Sequence, residues 1–284
     1  MTVCVEDVAE TWRDWTVRSS TGDTHNTRHL VLCPPPGCHQ RVATGRHVTF
    51  KASVEDVEVT RSYTPVVPLL KGCQQSEECL EFLIKVYPDG VMTPGLGELK
   101  PGDTVSVSNP QGDFLLSSVP LTADCKLYLL AAGTGLTPMI GLLSAIQKLP
   151  RKPAVKLLTF DRTAEDVIWR TEVSQFQMEN SDWLSLVRVL SQPDTDWRGQ
   201  TGRVRPDLLL SEVSLVEGLV SRWLTMKIFQ FFVVKIFHDS RWAAVCGPPG
   251  FNREAARILR EHLDFTQEEI MIKTMYGISV YYII

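Results

Sequence analysis

From Lys126 onward the chain alternates apolar strands with helices, and before about Pro120 it does not; this change of pattern restricts the fold more than any other feature. Residues 126–131 (KLYLLA) read as a buried strand, and 138–149 as a helix carrying Met139, Leu142, Leu143 and Ile146 on one face. A second strand at 155–160, a second helix at 164–178 and a third strand at 184–190 follow, and a strand at 242–246 with a helix at 252–263 closes the series. Such alternation needs crossover connections, so the sheet is expected to be parallel and doubly wound.

Upstream, short alternating or β-branched runs at 47–53, 57–63, 80–87 and 104–108 are separated by the turn signals Pro88-Asp89-Gly90, Pro101-Gly102-Asp103 and Asn109-Pro110-Gln111-Gly112. They predict a small antiparallel barrel or sandwich. A length of 284 residues accommodates two domains, and the change of pattern divides them into 10–120 and 121–284.

Composition narrows the function classes. With 29 Lys plus Arg against 33 Asp plus Glu the net charge is −4, which argues against a nucleic-acid-coating protein. Seven cysteines are too few and too scattered for a disulfide scaffold, so a reducing compartment is expected. Cys33 and Cys38, beside His39, lack a second ligand pair at zinc-site spacing; free thiols in a loop are expected there, and no metal site. The start of the chain has no basic or apolar leader segment, so no signal peptide is expected. The apolar stretch 223–237 is broken by Lys227 and Lys235, leaving a run far short of the roughly 20 residues a bilayer needs, so no transmembrane segment is expected.

Four segments carry candidate chemistry. The loop 131–138 (AAGTGLTP) has glycines at 133 and 135 that let backbone approach a phosphate, and Pro138 presets the first helical turn; it reads as a nucleotide cradle or as a tight strand-to-helix turn. A second glycine signal, Cys246-Gly247-Pro248-Pro249-Gly250, ends the last strand, so both loops face one crevice. Cys246 then stands either at the cleft lip or as an inert buried thiol. In the first half, Arg61-Ser62-Tyr63-Thr64-Pro65 combines a guanidinium, an aromatic ring and hydroxyls, the parts of a flavin-nucleotide clamp or of an ordinary barrel strand. Residues 82–87 (FLIKVY) and 90–93 (GVMT) form a strand and turn beside it.

Taken in order, RSYTP at 61–65, FLIKVY at 82–87, GVMT at 90–93, AAGTGLTPM at 131–139 and CGPPGF at 246–251 resemble the NADH-cytochrome b5 reductase branch of the ferredoxin-NADP reductase-like flavoproteins. FDRTAEDVIWR at 160–170 and LSQPDTDW at 190–197 are most similar to those members in which a haem domain and a CS domain precede the reductase module. The resemblance implies a six-stranded antiparallel FAD-binding barrel followed by a doubly wound NAD(P)-binding domain. It also implies hydride transfer from NADH or NADPH onto FAD, then electron delivery to cytochrome b5 or another haem acceptor. Arg61 would hold the FAD pyrophosphate, Tyr63 pack on the flavin and Thr64 lie near its N5. Ser62, Lys85, Tyr87, Gly90, Val91, Met92 and Thr93 would complete the FAD site, with Val91 standing where the family usually has Lys. Thr137 would reach the flavin from the second domain. Gly133, Thr134, Gly135 and Pro138 would cradle the nicotinamide nucleotide, Asp161 and Arg162 lie near its adenosine, and Cys246, Gly247 and Pro248 border the nicotinamide. Thr64 and Cys246 are thus the residues expected nearest the chemistry. A cytoplasmic location, peripheral at the endoplasmic reticulum, is implied on the same ground.

Two regions depart from that pattern, an atypical insert at 211–241 and an atypical tail at 271–284. They motivate a second reading, a non-catalytic flavoprotein remnant that serves as an interaction module. The six histidines stand in no haem motif, so a haem acceptor is expected on another chain or region.

Overall fold

The computed structural model describes residues 11–70, 79–112, 122, 124–213 and 240–274. Strand β1 (Arg13–Thr24) buries Trp15 and Val17 and turns through His25 and Asn26 into β2 (Thr27–Cys33), which buries Leu30 and Leu32. The sequence reading misses both strands, although this every-second-residue burial is the period-two signal of a half-buried strand. β3 (Val48–Val54), β4 (Val57–Tyr63), β5 (Leu80–Lys85) and β6 (Thr104–Val107) complete an antiparallel sheet of order β4-β3-β6-β1-β2-β5. The chain leaving β4 returns to the far edge, where the Val66 N–H donates to the Glu81 carbonyl at 2.8 Å, and this bridge closes the sheet into a barrel. Trp15, Phe50 and Phe82 fill its core, the last two edge to face at 4.9 Å. β5 ends at Lys85, opposite Thr27 where β2 begins, and just beyond it the Tyr87 N–H donates to the Thr93 hydroxyl at 3.0 Å. The short helix α1 (Thr93–Glu98) then caps the barrel with Leu96.

Cys33 is not a free thiol. It forms a disulfide with Cys79, while Cys38 is free. The two positions face one another across adjacent antiparallel strands, next to the Leu32–Leu80 pair, a juxtaposition that their separation of 46 residues conceals.

The second sheet is parallel throughout, in the order β10-β9-β8-β7-β11-β12. Its strands are β7 (Lys126–Ala132), β8 (Ala154–Asp161), β9 (Leu184–Leu190), β10 (Gln200–Thr201), β11 (Arg241–Gly247) and β12 (Ile270–Thr274). Helices α2 (Leu136–Gln147) and α3 (Arg170–Glu179) cover one face, and α4 (Pro206–Val213) and α5 (Pro249–Leu263) the other. Burial on both faces explains the nearly continuous apolar runs of β7 and β8.

One helix expected from the sequence is interrupted. In place of a helix at 164–178, Thr163 and Asp166 cap each other around a single 3-10 turn, Ala164–Asp166, and α3 begins only at Arg170. Between them Val167, Ile168 and Trp169 are buried, and Trp169 takes a left-handed φ of 46° with its ring edge-on to His29 of the barrel. Tertiary burial of three consecutive side chains overrides helical periodicity here. The insert at 211–241 lies outside the described residues except at its ends, which finish α4 and begin β11. Of the tail at 271–284, residues 271–274 continue β12 and the rest lie outside the described residues.

Candidate functional site

Strands β7 and β11 are neighbours, yet the chain after β7 proceeds to β8 on one side and the chain after β11 to β12 on the other. Their carboxyl ends therefore form the switch point at which open α/β sheets bind ligands. Gly133-Thr134-Gly135 and Cys246-Gly247-Pro248 meet there. A Cβ at Gly135 would overlap the Cys246 carbonyl, and one at Gly247 would lie 2.8 Å from the Ala132 Cβ, so the two loops approach more closely than side chains allow. The Thr137 hydroxyl donates to the Thr134 carbonyl at 3.0 Å and fixes the turn into α2.

The barrel supplies the opposite wall. A cleft of about 560 Å³ is lined by Arg61, Ser62, Tyr63, Thr64, Lys85, Tyr87 and Gly90 to Thr93 from the barrel and by Thr134, Thr137, Pro138 and Cys246 from the α/β domain. Arg61 is exposed, with one guanidinium N–H on the Thr60 carbonyl at 2.7 Å. Tyr63 packs on Phe50 at 4.6 Å with its hydroxyl 3.8 Å from the Met92 sulfur; burial raises its phenol above the ordinary range, so the ring is neutral. The Gly90 N–H donates to the Tyr87 carbonyl at 2.9 Å and closes the adjoining turn. Cys246 is 2% exposed, and burial, opposed by the charge of Lys273, pushes its thiol up to about 12. Burial thus favours the neutral thiol, a wall group in the cleft.

The other residues singled out in the sequence sit elsewhere. Gly133 and Asp161 line a separate small cavity with Thr159 and Arg188, Gly135 and Gly247 are buried behind the cleft, Pro248 is exposed, and Arg162 is turned onto Asp166 at 3.2 Å. The cleft also takes His47, Phe82, Leu83, Pro88, Asp89 and Lys273, which the sequence reading does not select. Phe82 and Leu83 lie within a quoted motif, and Pro88 and Asp89 in a recognised turn. His47 and Lys273 have no local signal, since only tertiary folding brings them there.

A buried polar cluster joins the domains behind this cleft. Asp166, 1% exposed, accepts from Lys85 at 2.9 Å, from Asn26 at 3.4 Å, from Arg162 at 3.2 Å and from the Thr163 hydroxyl at 3.0 Å. Burial alone would raise its carboxyl, but hydrogen bonds from Lys85 and Thr163 and the charges of Lys85 and Arg162 hold it well below the usual carboxylate range. Asp161 goes the other way: burial lifts it to about 7 against the pull of Lys85. The two neighbouring carboxyls thus differ in protonation over the neutral range.

The donor set fits a flavin dinucleotide. Arg61 and the hydroxyls of Ser62, Thr64 and Thr93 suit phosphate and sugar oxygens, whereas Tyr63, Met92, Leu83 and Pro138 offer surfaces for a flat ring. The volume lies within the range of small-molecule sites.

Comparison with known proteins agrees with this geometry. Residues 9–115 match the oxidoreductase FAD-binding domain family and residues 129–257 the oxidoreductase NAD-binding domain family. The chain is 35% identical over 253 residues to cytochrome b5 reductase 4 of Homo sapiens, covering 87% of this chain and 44% of that protein. It is 30% identical over 233 residues to NADH-cytochrome b5 reductase 1 of Candida glabrata, covering 80% of this chain and 71% of that protein. The solved CS-b5R domains of human Ncb5or (NAD+ form) superpose with a TM-score of 0.80 at 32% identity, covering 95% of this chain and 71% of that one. The chain spans less than half the length of the cytochrome b5 reductase 4 proteins that it matches.

Proposed function

Because the chain belongs to the NADH-cytochrome b5 reductase family, we propose that it takes hydride from NADH onto FAD held in the cleft and passes the electrons singly to a cytochrome b5-type haem acceptor. The observation that carries this reading is the shared cleft, with the Arg61–Thr64 clamp on one wall and the two glycine-rich loops of the switch point on the other. FAD supplies the chemistry, accepting two electrons together and releasing them one at a time, so the protein's part is binding, orientation and electrostatics. Arg61 would bind phosphate, Tyr63 and Pro138 would supply apolar surface for the ring, and the Thr64 hydroxyl would serve its polar atoms, with Thr137 left as an acceptor because its proton is on the Thr134 carbonyl. Gly135 and Gly247 let the nicotinamide loops close on one another. Cys246 closes the wall as a neutral thiol, and no side-chain base is required.

NADH is favoured over NADPH on the same grounds. At the end of β8, Arg162 is engaged by Asp166 and Arg188 shares a small cavity with Asp161, which leaves neither guanidinium free for a 2′-phosphate. The interaction-module reading is disfavoured because RSYTP, FLIKVY, GVMT, AAGTGLTPM and CGPPGF each contribute to the cleft or to its close loop contacts. Among the described residues no helix is long and apolar enough to cross a membrane; action from the cytoplasmic side of the endoplasmic reticulum, on a membrane-held cytochrome, is part of the proposal.

The FAD-loaded chain is expected to reduce a soluble ferric cytochrome b5 domain with NADH, and at least tenfold less efficiently, in kcat/KM, with NADPH. Turnover of ferricyanide but not of the cytochrome would refute the acceptor; equal efficiency with both nucleotides would refute the choice of NADH.

A further inference from the structure

Lys273 lies in the segment that departs from the family pattern. It is 9% exposed and lines the cleft from the last strand, β12, directly opposite Cys246 of β11 in the ladder. Its main chain is fixed by that pairing and by the Asn252 side chain, which donates to the Lys273 carbonyl at 3.1 Å from α5. Its ammonium crosses to the barrel and donates to the Gly45 carbonyl at 2.6 Å, a contact between residues 228 apart in sequence. Gly45 is itself buried, at φ 87° in a turn whose Ala43 and Arg46 are exposed, and the neighbouring Thr44 packs close to Gly141 of α2. The Lys273 side chain is therefore held at both ends, by the β12 ladder at its root and by the Gly45 carbonyl at its ammonium. Its charge is felt at Cys246, where it opposes the effect of burial on the thiol.

We propose that Lys273 biases the cleft toward the reduced cofactor. The inference rests on the reading that FAD occupies this cleft. Hydride transfer from NADH delivers two electrons and one proton to FAD, so the reduced flavin gains one negative charge and NADH leaves as NAD+. A cation fixed in a water-poor wall is preorganised for that added charge and needs no rearrangement when it arrives. It stabilises the reduced form more than the oxidised form and so raises the midpoint potential of the bound flavin. Because the ammonium is anchored on the barrel, this bias exists only while the two domains are docked.

The test is anaerobic equilibration of FAD-loaded wild type, Lys273→Met, Lys273→Gln and Lys273→Arg against a reference dye. The affinity of reduced over oxidised flavin is expected to fall at least tenfold in the Met and Gln variants, about 30 mV downward for a two-electron couple, and to stay near wild type in Arg. Met or Gln variants that bind FAD stoichiometrically with a wild-type midpoint overturn the proposal. If no uncharged residue at 273 lets the chain fold, Lys273 is a structural tie alone and the proposal is equally overturned. Failure of the wild type to bind FAD contradicts the cleft assignment, not Lys273.

Discussion

Asp166→Ala is expected to destabilise the protein by about 3–5 kcal/mol, the cost of breaking a buried ion pair and leaving one partner's charge uncompensated. The stranded group is Lys85, whose side chain is 16% exposed and whose ammonium is bonded to Asp166 at 2.9 Å. The same substitution releases Asn26 of the barrel and Arg162 and Thr163 of the α/β domain, so it unties the domains as well as the ion pair. Since Lys85 also lines the cleft, FAD affinity should fall along with stability. Asp166→Asn keeps the shape and one acceptor and should lose less. Urea unfolding at pH 7 measures the difference, and a loss below about 1 kcal/mol, typical of an exposed pair, would mean that the cluster holds nothing together.

The pH dependence follows from the same neighbourhood. The Asp166 carboxyl is depressed in the fold, so its contribution is complete above the ordinary carboxylate range and is lost only in stronger acid. Asp161 is raised to about 7, so the folded state keeps a proton that the unfolded chain releases, and stability falls as pH rises from about 4 toward 7. Asp161→Asn should flatten that decline while leaving the acid limb in place.

Gly135→Val should have the larger effect on activity. Its Cβ would overlap the Cys246 carbonyl, a backbone atom that no rotamer change can move aside. Because Gly135 has an ordinary helical φ of −57°, the cost arises from space and not from backbone strain. Overpacking of this kind costs about 1–3 kcal/mol, and the relief available is separation of the two loops at the switch point. A displacement of about 1 Å between reacting groups can cost roughly 100-fold in rate, so NADH turnover should fall by that order while FAD, held mainly by the barrel wall, stays bound. Gly250→Ala is the control, since a Cβ there has nothing within 4 Å. Turnover unaltered in Gly135→Val would show that the close approach of the loops has no part in the reaction.

Much of this was legible in the sequence because it is locally encoded. The apolar strands β7, β8, β9 and β11, each leading toward a helix, declare a parallel sheet, and glycines at 133, 135 and 247 mark the two strand ends that meet. The RSYTP and GVMT segments are likewise local, and the fold brings them onto one wall. What was not legible depends on residues distant in sequence. Cys33 meets Cys79 only once β2 pairs with β5, and Lys273 reaches the cleft only when β12 docks beside β11 and the barrel turn at Gly45 comes within reach. The broken helix at 164–170 has the same origin, because Asp166 is drawn to Lys85 of the other domain and Trp169 is buried against His29. The missed hairpin β1–β2 is different: its alternation of Trp15 with Val17 and of Leu30 with Leu32 was there to be read.

Whether one cleft brings FAD and NADH together is read from the absorbance of the FAD-loaded protein when NADH is added without oxygen. Stoichiometric FAD binding and prompt bleaching of the flavin band are expected. A bound flavin that dithionite bleaches and NADH does not would mean that the cleft does not bring the two together.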